Sequence, residues 1–554
     1  MCLKINSLSL ILLSIIKKLI GEFLTKRCKD ERVTGGRVLI DSNSYFNIFC
    51  VEKKIQLLEE EKCASLKPLP ILGNYGDYIL QKEYPGQMLQ KLCKQFPDQP
   101  YFGAYFGPEP VLVVQSPEIA KDVLVKDFYY FNGREITNHT QKEILTKSLF
   151  FTGGDHWKVY RQNLTPLFTS SKMKNMFYLI EKCVYTFEDL VDYEIGMSDV
   201  IEVRDICSRF TMDCICSCAF GVESNVMGKD KENPFRIMAD EIFVPTNYKG
   251  MKIVTRALLP LIFYGLGMKT VPLKLETFFL NLLKDVFRSR NYKPSPRQDF
   301  VDLVLTFKNE NNLIGDSVSN VKTGKNDKIQ VKVDDELLVS QCIMFFAGGF
   351  ETSATTMSLT LYELAKNQDV QTKAIKEVDE YLYKHRNKFS YESVTELTYL
   401  DSCVQETLRL YPVIGVLTRE VMDDYEFSTG LRVDKGVRVH IPVYHMHRNP
   451  DYFSDPEEYK PERFFPENKN DLKPYTYFPF GEGPRLCLGK RFSKMQVLPG
   501  LVTILKKYRV ELAEGMPETI PLESRSFLIQ PRDQGLNLKF VQREGYESRR
   551  LRRA

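Results

Sequence analysis

The sequence has no excess charge, no low-complexity tract, no internal repeat and no long apolar run. Lysine and arginine total 76 against 72 acids, a net charge of +4 over 554 residues, so nothing in the bulk composition points to a nucleic-acid partner. Near the N-terminus the best apolar run is Leu8 to Ile16, nine residues followed at once by Lys17 and Lys18. As a helix it would rise about 14 Å, short of the roughly 30 Å hydrocarbon core of a bilayer. No small-x-small cleavage site follows it, so it reads as an uncleaved or interfacial anchor, the alternative being a buried or poorly ordered start. Cysteine is present, 13 residues in all, but without the spacing of a small disulfide scaffold. Reduced thiols on the cytosolic side of a membrane are expected.

Residues 1–66 form an N-terminal segment, and Lys67 to Asn74 (KPLPILGN) reads as a proline-rich hinge opening a globular body. From Tyr75 to about Phe540 no flexible linker appears, and residues 541–554 form a basic tail ending ESRRLRRA. Apolar spacing near 3.6 predicts helices over 157–190, 202–220, 335–366, 368–384 and 395–411. Strand-like alternation is confined to pieces such as Val111–Val114 and Val437–Pro442, and Gly315 to Lys328 reads as a surface loop. The expectation is one large, mainly α body with small β-sheets.

Four segments carry chemistry. The first is Phe480-x-x-Gly483-x-Arg485-x-Cys487-x-Gly489. Glycines let backbone N–H groups approach a sulfur, and an arginine two residues away suits a negative group on a cofactor's edge. A helix starting just after the cysteine would favour the thiolate through its dipole. The bland alternative is a structural loop with an unreactive thiol. The second segment is SCVQETLRLYP, a helix stopped by Pro412 with Glu406 and Arg409 on one face. A surface pair there would contribute only about 0–1 kcal/mol, but the apolar neighbours Leu408, Leu410 and Tyr411 point to burial.

The third segment is Ser340 to Lys366, where Gly348 and Gly349 and then Glu351, Thr352 and Ser353 interrupt an apolar helix. Two glycines cost roughly 1 kcal/mol each relative to alanine, which suits a helix that opens beside a cofactor; a tolerated glycine kink is the alternative. The fourth is GGDHWKVYRQNL, where Trp157 precedes Arg161 by four, so that an indole N–H and a guanidinium share one face and suit a carboxylate.

The cysteine loop resembles the haem-binding loop of the cytochrome P450 enzymes, and the other three segments match that family in order and spacing. The resemblance covers residues 67–540. It implies the cytochrome P450 fold and a haem-thiolate monooxygenase, which inserts one atom of dioxygen into a hydrophobic organic substrate. It further implies haem b (heme; iron protoporphyrin IX) as cofactor, Cys487 as the metal ligand, and electrons from NADPH through a partner reductase. Phe480, Gly483, Arg485 and Gly489 fall to cofactor binding. Trp157, Arg161 and Arg419, with Arg134 in FNGREI as a match of the same kind, are implied to hold the haem propionates. Thr352 is implied to hydrogen-bond the dioxygen and Glu351 to help relay protons. Glu406, Arg409 and Arg463 are implied to be a structural triad bracing the loop.

FFTGGDHWK, FETSATTM and PFGEGPRLCLGKRF resemble insect microsomal enzymes of the xenobiotic-metabolising kind. The family's long N-terminal membrane span is not seen, residues 21–66 match no pattern, and the arginine-rich end is unusual. The resemblance places the chain on the cytosolic face of the endoplasmic reticulum membrane, with the NADPH–cytochrome P450 reductase as electron donor. Eight basic residues between Lys473 and Arg509 against the single acid Glu482 suggest a docking surface for an acidic donor. Ala257 to Met268 (ALLPLIFYGLGM) is suited either to dipping into the bilayer surface or to roofing the site. Substrate lining is expected at Thr146–Phe151, Phe346–Phe350 and Val413–Leu417.

Two clusters compete with this reading. Cys214, Cys216 and Cys218 (CICSC) resemble a metal cluster, but no histidine is near and the stretch reads as a buried helix. His440, His445 and His447 lack helical metal-site spacing and are expected to have ordinary packing and surface roles. A non-oxidative isomerase or a haem sensor on the same fold would not need Glu351 and Thr352, and a zinc-dependent regulator would be built round CICSC.

Overall fold

Helix-forming stretches account for most of the chain in the computed structural model, which describes residues 63–553 apart from 136–138, 231, 298 and 533–534. The run Leu8–Ile16 lies outside the described residues. In chain order, strands β1 (Tyr101–Phe106) and β2 (Glu109–Val114) precede helices α1 (Gly154–Leu164), α2 (Ser170–Met197), α3 (Val203–Ile215), α4 (Pro234–Phe243), α5 (Asn247–Leu258) and α6 (Pro260–Gly265). Then come α7 (Asp335–Lys366), α8 (Thr398–Leu410), β3 (Leu417–Glu420), β4 (Arg438–Ile441) and α9 (Lys490–Leu505).

The long helix α7 is the axis of the core. It starts where Asp334 caps the Leu337 N–H at 2.7 Å and Asp335 and Glu336 meet the positive end of the dipole. Most of its residues are buried on every side, as expected for a helix apolar all round. Its closest partner is α3, and Gly349 explains why. A Cβ there would lie 2.5 Å from Ile215 Cδ1, so the glycine lets the two helices press together.

The sheet that positions the site has the order β1-β2-β4-β3. β2 runs parallel to β4, and β3 runs antiparallel to it with Arg419 opposite Val439 and Thr418 opposite His440. An isolated bridge joins Gly133 to Glu420 beyond the sheet edge. A second sheet joins Val200–Glu202, Asn537–Gln542 and Tyr508–Leu512.

Several boundaries differ from those expected. The helix expected over 157–190 is broken at Pro166 by a 3-10 turn, Thr165–Phe168, because proline cannot donate within a helix. The one expected over 202–220 is α-helical to Ile215 and then widens into a π turn, Cys216–Phe220, closed by Gly221 at φ 65°. The loop expected at 315–328 connects a hairpin, Asn312–Asp316 paired with Lys328–Lys332. The end of the tail lies against the body: Leu551 is buried and its N–H donates to Glu188 at 3.4 Å.

Candidate functional site

The cysteine loop is shaped by its glycines and by one backbone bond. Gly483 sits at φ 69°, and a Cβ there would lie 2.0 Å from the Leu124 carbonyl oxygen, so only glycine fits. The Cys487 N–H donates to the Phe480 carbonyl at 2.9 Å, closing the loop just before α9 begins. Gly489 is the N-cap of α9, and the backbone N–H groups of Gly489 and Lys490 lie beside the Cys487 sulfur and favour its negative charge. Phe480 is half-buried beneath the Lys490 ammonium, 5.6 Å from its ring centre.

By surface area Cys487 is exposed, yet protein surrounds it densely. Its open face therefore looks onto interior space rather than bulk water. Burial pushes its thiol up, while the two backbone N–H groups and the charges of Arg161 and Lys490 pull it down. The sulfur is thus prepared for negative charge but needs a further cation to become a thiolate.

Arg134, Arg161, Arg419 and Arg485 gather beside the loop. Arg485 is buried, donates to the carbonyls of Phe150 (3.3 Å) and Thr152, and lies 5.0 Å over the Trp157 ring. Trp157 is buried against Phe128, ring centres 5.0 Å apart, so its ring supports Arg485. Arg419 donates to the Thr418 carbonyl at 2.8 Å, and Arg134 stacks 4.0 Å over Phe150. Burial and the neighbouring charges of Arg134, Arg419 and Arg161 push Arg485 well below the usual guanidinium range. Burial and then Arg134 lower Arg419 to about 9. Burial lowers Arg134 to about 10 despite Glu135, and burial lowers Arg161 despite Cys487.

An arginine does not give up its proton inside a protein, so these shifts report a demand for an anion. Among the described residues no carboxylate pairs with Arg161, Arg419 or Arg485, and the buried Nε atoms of Arg419 and Arg485 bond to nothing. A metal-bearing group with acidic side arms fits this donor set: a thiolate-ready sulfur and cations lacking their counter-charge.

On the long helix the four singled-out residues separate. Gly348 is exposed midway along buried α7, and a Cβ there would meet only Met344 Cε, at 3.6 Å. Gly349 serves packing, as described. The helix is unbroken, contrary to the expected opening, and Thr352 Oγ1 donates to the Gly348 carbonyl at 2.8 Å. Glu351 is buried and ion-paired with Arg204 of α3, and Gln530 Nε2 also donates to it at 3.2 Å. Burial opposes the Arg204 charge, but Glu351 raises its pKa. Neither Arg204 nor Gln530 was visible in the sequence pattern, since they lie 147 and 179 residues from Glu351.

The brace is complete. Glu406 accepts Arg409 Nε and Nη2 at 2.8 Å each, the Lys460 N–H at 2.9 Å and Arg463 Nε at 3.4 Å. Arg409 also donates to the His447 carbonyl at 2.9 Å, and His447 Nε2 accepts the Phe478 N–H at 3.1 Å. The chain from α8 to the cysteine loop therefore runs through His447, for which the sequence suggests no more than an ordinary packing or surface role.

The sequence profile of the family described as Cytochrome P450 matches residues 64–538. The chain belongs to the cytochrome P450 family. It is 35% identical over 481 residues to cytochrome P450 6k1 of Blattella germanica, covering 86% of this chain and 91% of that protein. To cytochrome P450 6B2 of Helicoverpa armigera it is 34% identical over 479 residues, 86% and 92% of the two chains. To probable cytochrome P450 6a14 of Drosophila melanogaster it is 33% identical over 482 residues, 85% and 92%.

As a cytochrome P450 the protein is a haem-thiolate monooxygenase with the fold of that family, with haem b as cofactor and electrons from NADPH supplied through a reductase. It takes a hydrophobic substrate, dioxygen and a redox partner. The competing clusters are structural. Cys214, Cys216 and Cys218 are all buried, and burial holds each thiol well above its usual range. His440 and His447 are buried as well.

The basic stretch needs correction. Of its eight residues, Arg485, Lys506 and Lys507 are buried, Lys506 against Glu188 and Lys507 against Asp192 at 2.7 Å, so five remain at the surface. Of these, Lys473 pairs with Glu118 (2.9 Å), Lys494 with Asp401 (3.0 Å) and Arg509 with Glu511 (2.5 Å), and Lys490 and Arg491 are exposed at the start of α9. The segment Ala257–Met268 faces both ways, with Phe263 fully buried and Leu261 and Leu266 exposed. Phe346 and Phe350, expected to line the substrate site, pack into an aromatic cluster with Phe235, Phe243 and Phe279.

Proposed function

We propose that Cys487 would ligate the haem iron, and that Arg134, Arg161, Arg419 and Arg485 would hold the haem carboxylates, with Trp157 beneath Arg485. The observation that carries this reading is the coincidence of a sulfur beside two backbone N–H groups with two buried arginines, Arg419 and Arg485, whose Nε atoms have no partner. Bound there, the haem supplies oxygen activation, to which a thiolate contributes electron density. Thr352 holds a hydroxyl at the Gly348 turn, one turn from the exposed glycine face. Glu351 holds a carboxylate that Arg204, 29% exposed in its side chain, links towards solvent. Together they move protons to the reacting centre.

In the same proposal, the donor is the NADPH–cytochrome P450 reductase, docking at Lys490, Arg491 and Lys494 beside the cysteine loop. The protein lies on the cytosolic face of the endoplasmic reticulum membrane, touching it through the exposed apolar residues Leu69, Ile71, Leu261 and Leu266. The one described helix long and apolar enough to span a bilayer is α7, and it is buried in the core. Residues 67–540 are the catalytic body, and the substrates are hydrophobic molecules of moderate size, of the xenobiotic kind.

The test is spectroscopic. Purified protein reduced in the presence of carbon monoxide should give the thiolate-ligated Soret band, and Cys487→Ala should lose it together with turnover. A variant that keeps both would overturn the assignment.

A further inference from the structure

Glu135, His440 and Tyr75 form a set of titratable side chains outside the residues assigned so far, with His440 and Tyr75 buried and the Glu135 side chain 25% exposed. His440 lies on β4. Its Nε2 is 2.9 Å from Glu135 Oε1 and its Nδ1 is 2.8 Å from the Tyr75 hydroxyl. Burial works to raise the Glu135 pKa, but the His440 bond and the Arg438, His440 and Arg256 charges outweigh it and bring it to about 2. The carboxylate is therefore ionised and accepts from Nε2–H. Burial keeps the proton on Tyr75, and its hydroxyl occupies the second ring nitrogen, so that both ring nitrogens of His440 are held.

The chain is anchored at both ends. Tyr75 follows Asn74, whose N–H donates to the Tyr105 carbonyl of β1 at 2.7 Å and whose Oδ1 accepts the Tyr105 N–H at 2.8 Å. At the other end Glu135 adjoins Arg134, and Gly133 on the far side of Arg134 is bridged to Glu420, with the Glu420 N–H donating to the Gly133 carbonyl at 3.1 Å. An antiparallel bridge between Gly133 and Glu420 brings residue 134 alongside residue 419. Arg134 is thus gripped from both sides by two adjacent strands, by β3 through Gly133 and by β4 through Glu135 and His440. β3 also carries Arg419.

We infer that Glu135, His440 and Tyr75 form a positioning chain that fixes Arg134 beside Arg419 and so sets the shape of the haem-carboxylate cradle. The inference rests on the proposal that Arg134 and Arg419 belong to that cradle. His440 is the central positioning residue. The chain does not touch the reacting atoms. It keeps a flexible arginine from swinging away from a like-charged neighbour, which the repulsion between Arg134 and Arg419 would otherwise favour.

The test uses the purified holoenzyme and two readouts besides turnover: the rate of haem transfer to an excess of an apo-globin acceptor, and the ferric–ferrous midpoint potential. Arg134→Gln should release haem about tenfold faster, the scale of one lost charge-assisted bond, with a more negative potential because a cation beside the haem is gone. His440→Leu should move both readouts the same way. His440→Gln, whose amide can still donate to Glu135, should stay near the parent protein. The double variant R134Q/H440L should be no worse than R134Q alone, because His440 acts through Arg134.

If R134Q is silent, the cradle reading itself is wrong. If R134Q releases haem faster while H440L matches the parent, or if the two effects add, the positioning chain alone is overturned. Should H440L fail to fold, Tyr75→Phe removes a single hydroxyl and must show the same non-additivity with R134Q. A purely structural role would lower the melting temperature of Y75F and leave its potential unmoved, which also overturns the inference.

Discussion

Glu406 and Arg409 form a bidentate ion pair, 2.8 Å on both arms, with neither side chain exposed. Taking two charges out of water is unfavourable, and only the further bonds from Lys460, Arg463, His447 and Pro456 make the arrangement viable. Breaking it one-sidedly leaves a buried carboxylate uncompensated. Arg409→Met is therefore expected to lower stability by about 3–5 kcal/mol, seen as a fall in melting temperature and a larger haem-free fraction. The double variant Glu406→Leu with Arg409→Met should recover part of that loss. A single variant as stable as the parent would show that the pair does not brace the loop.

Thr352→Ala removes the hydroxyl at the Gly348 turn without touching the cysteine loop. Haem content and the carbon monoxide spectrum should be unchanged, while product per NADPH falls and peroxide rises. The loss of one hydrogen bond at this step corresponds to about 1–3 kcal/mol. Unchanged coupling would remove Thr352 from the proton route.

His447 gives a pH dependence with a definite sign. Burial, then the Arg409 and Arg448 charges, depress its pKa to about 3, against about 6.5 for an unfolded histidine. Above pH 6.5 both states are neutral and stability is complete. As pH falls from 6.5 towards 3, the unfolded chain takes up a proton that the folded one refuses, and stability falls by up to about 1.4 kcal/mol per pH unit for this site. His445, depressed to about 4 chiefly by burial, adds to the slope until that pH. Since the Phe478 N–H donates to His447 Nε2, protonation also unfastens the cysteine loop. Chemical denaturation of His447→Gln between pH 7 and pH 4 should give a shallower decline; an identical slope would assign it to other groups.

Charge reversal at Lys490, Arg491 and Lys494 should slow reductase-driven turnover, with the penalty shrinking as salt rises. Peroxide-driven turnover should be spared. Lys494 also holds Asp401 at 3.0 Å, so Lys490→Glu with Arg491→Glu is the cleaner variant. Equal losses in both assays would make these residues structural.

Local pattern carried much of this into view. The glycines around Cys487, the three-residue spacing of Glu406 and Arg409, and the acids opening α7 each act within a turn or two of chain, so their reason is written nearby. What stayed hidden depends on distant partners. Lys506 and Lys507 look like surface charge in a basic run, and only the fold brings Glu188 and Asp192 against them. Gly349 looked like a hinge until Ile215 was found beside it. Arg204 and Gln530, which hold Glu351, and Glu135 and Tyr75, which hold His440, come from segments with no shared periodicity. The break at Pro166 was legible and was overridden by the apolar spacing on either side of it.

The crowded arginines have a consequence for the life of the protein in the cell. Until the cofactor arrives, Arg419 and Arg485 sit buried and Arg161 half-buried without a carboxylate, and the newly made chain carries that repulsion unrelieved. A ligand that binds only the folded form shifts the folding balance by mass action, and here the ligand also cancels an internal strain. Haem supply should then act as a brake on abundance. In haem-starved cells the protein is expected to turn over faster at unchanged messenger level, and a variant with one of these arginines made neutral should be less sensitive to starvation even though it grips its cofactor less well.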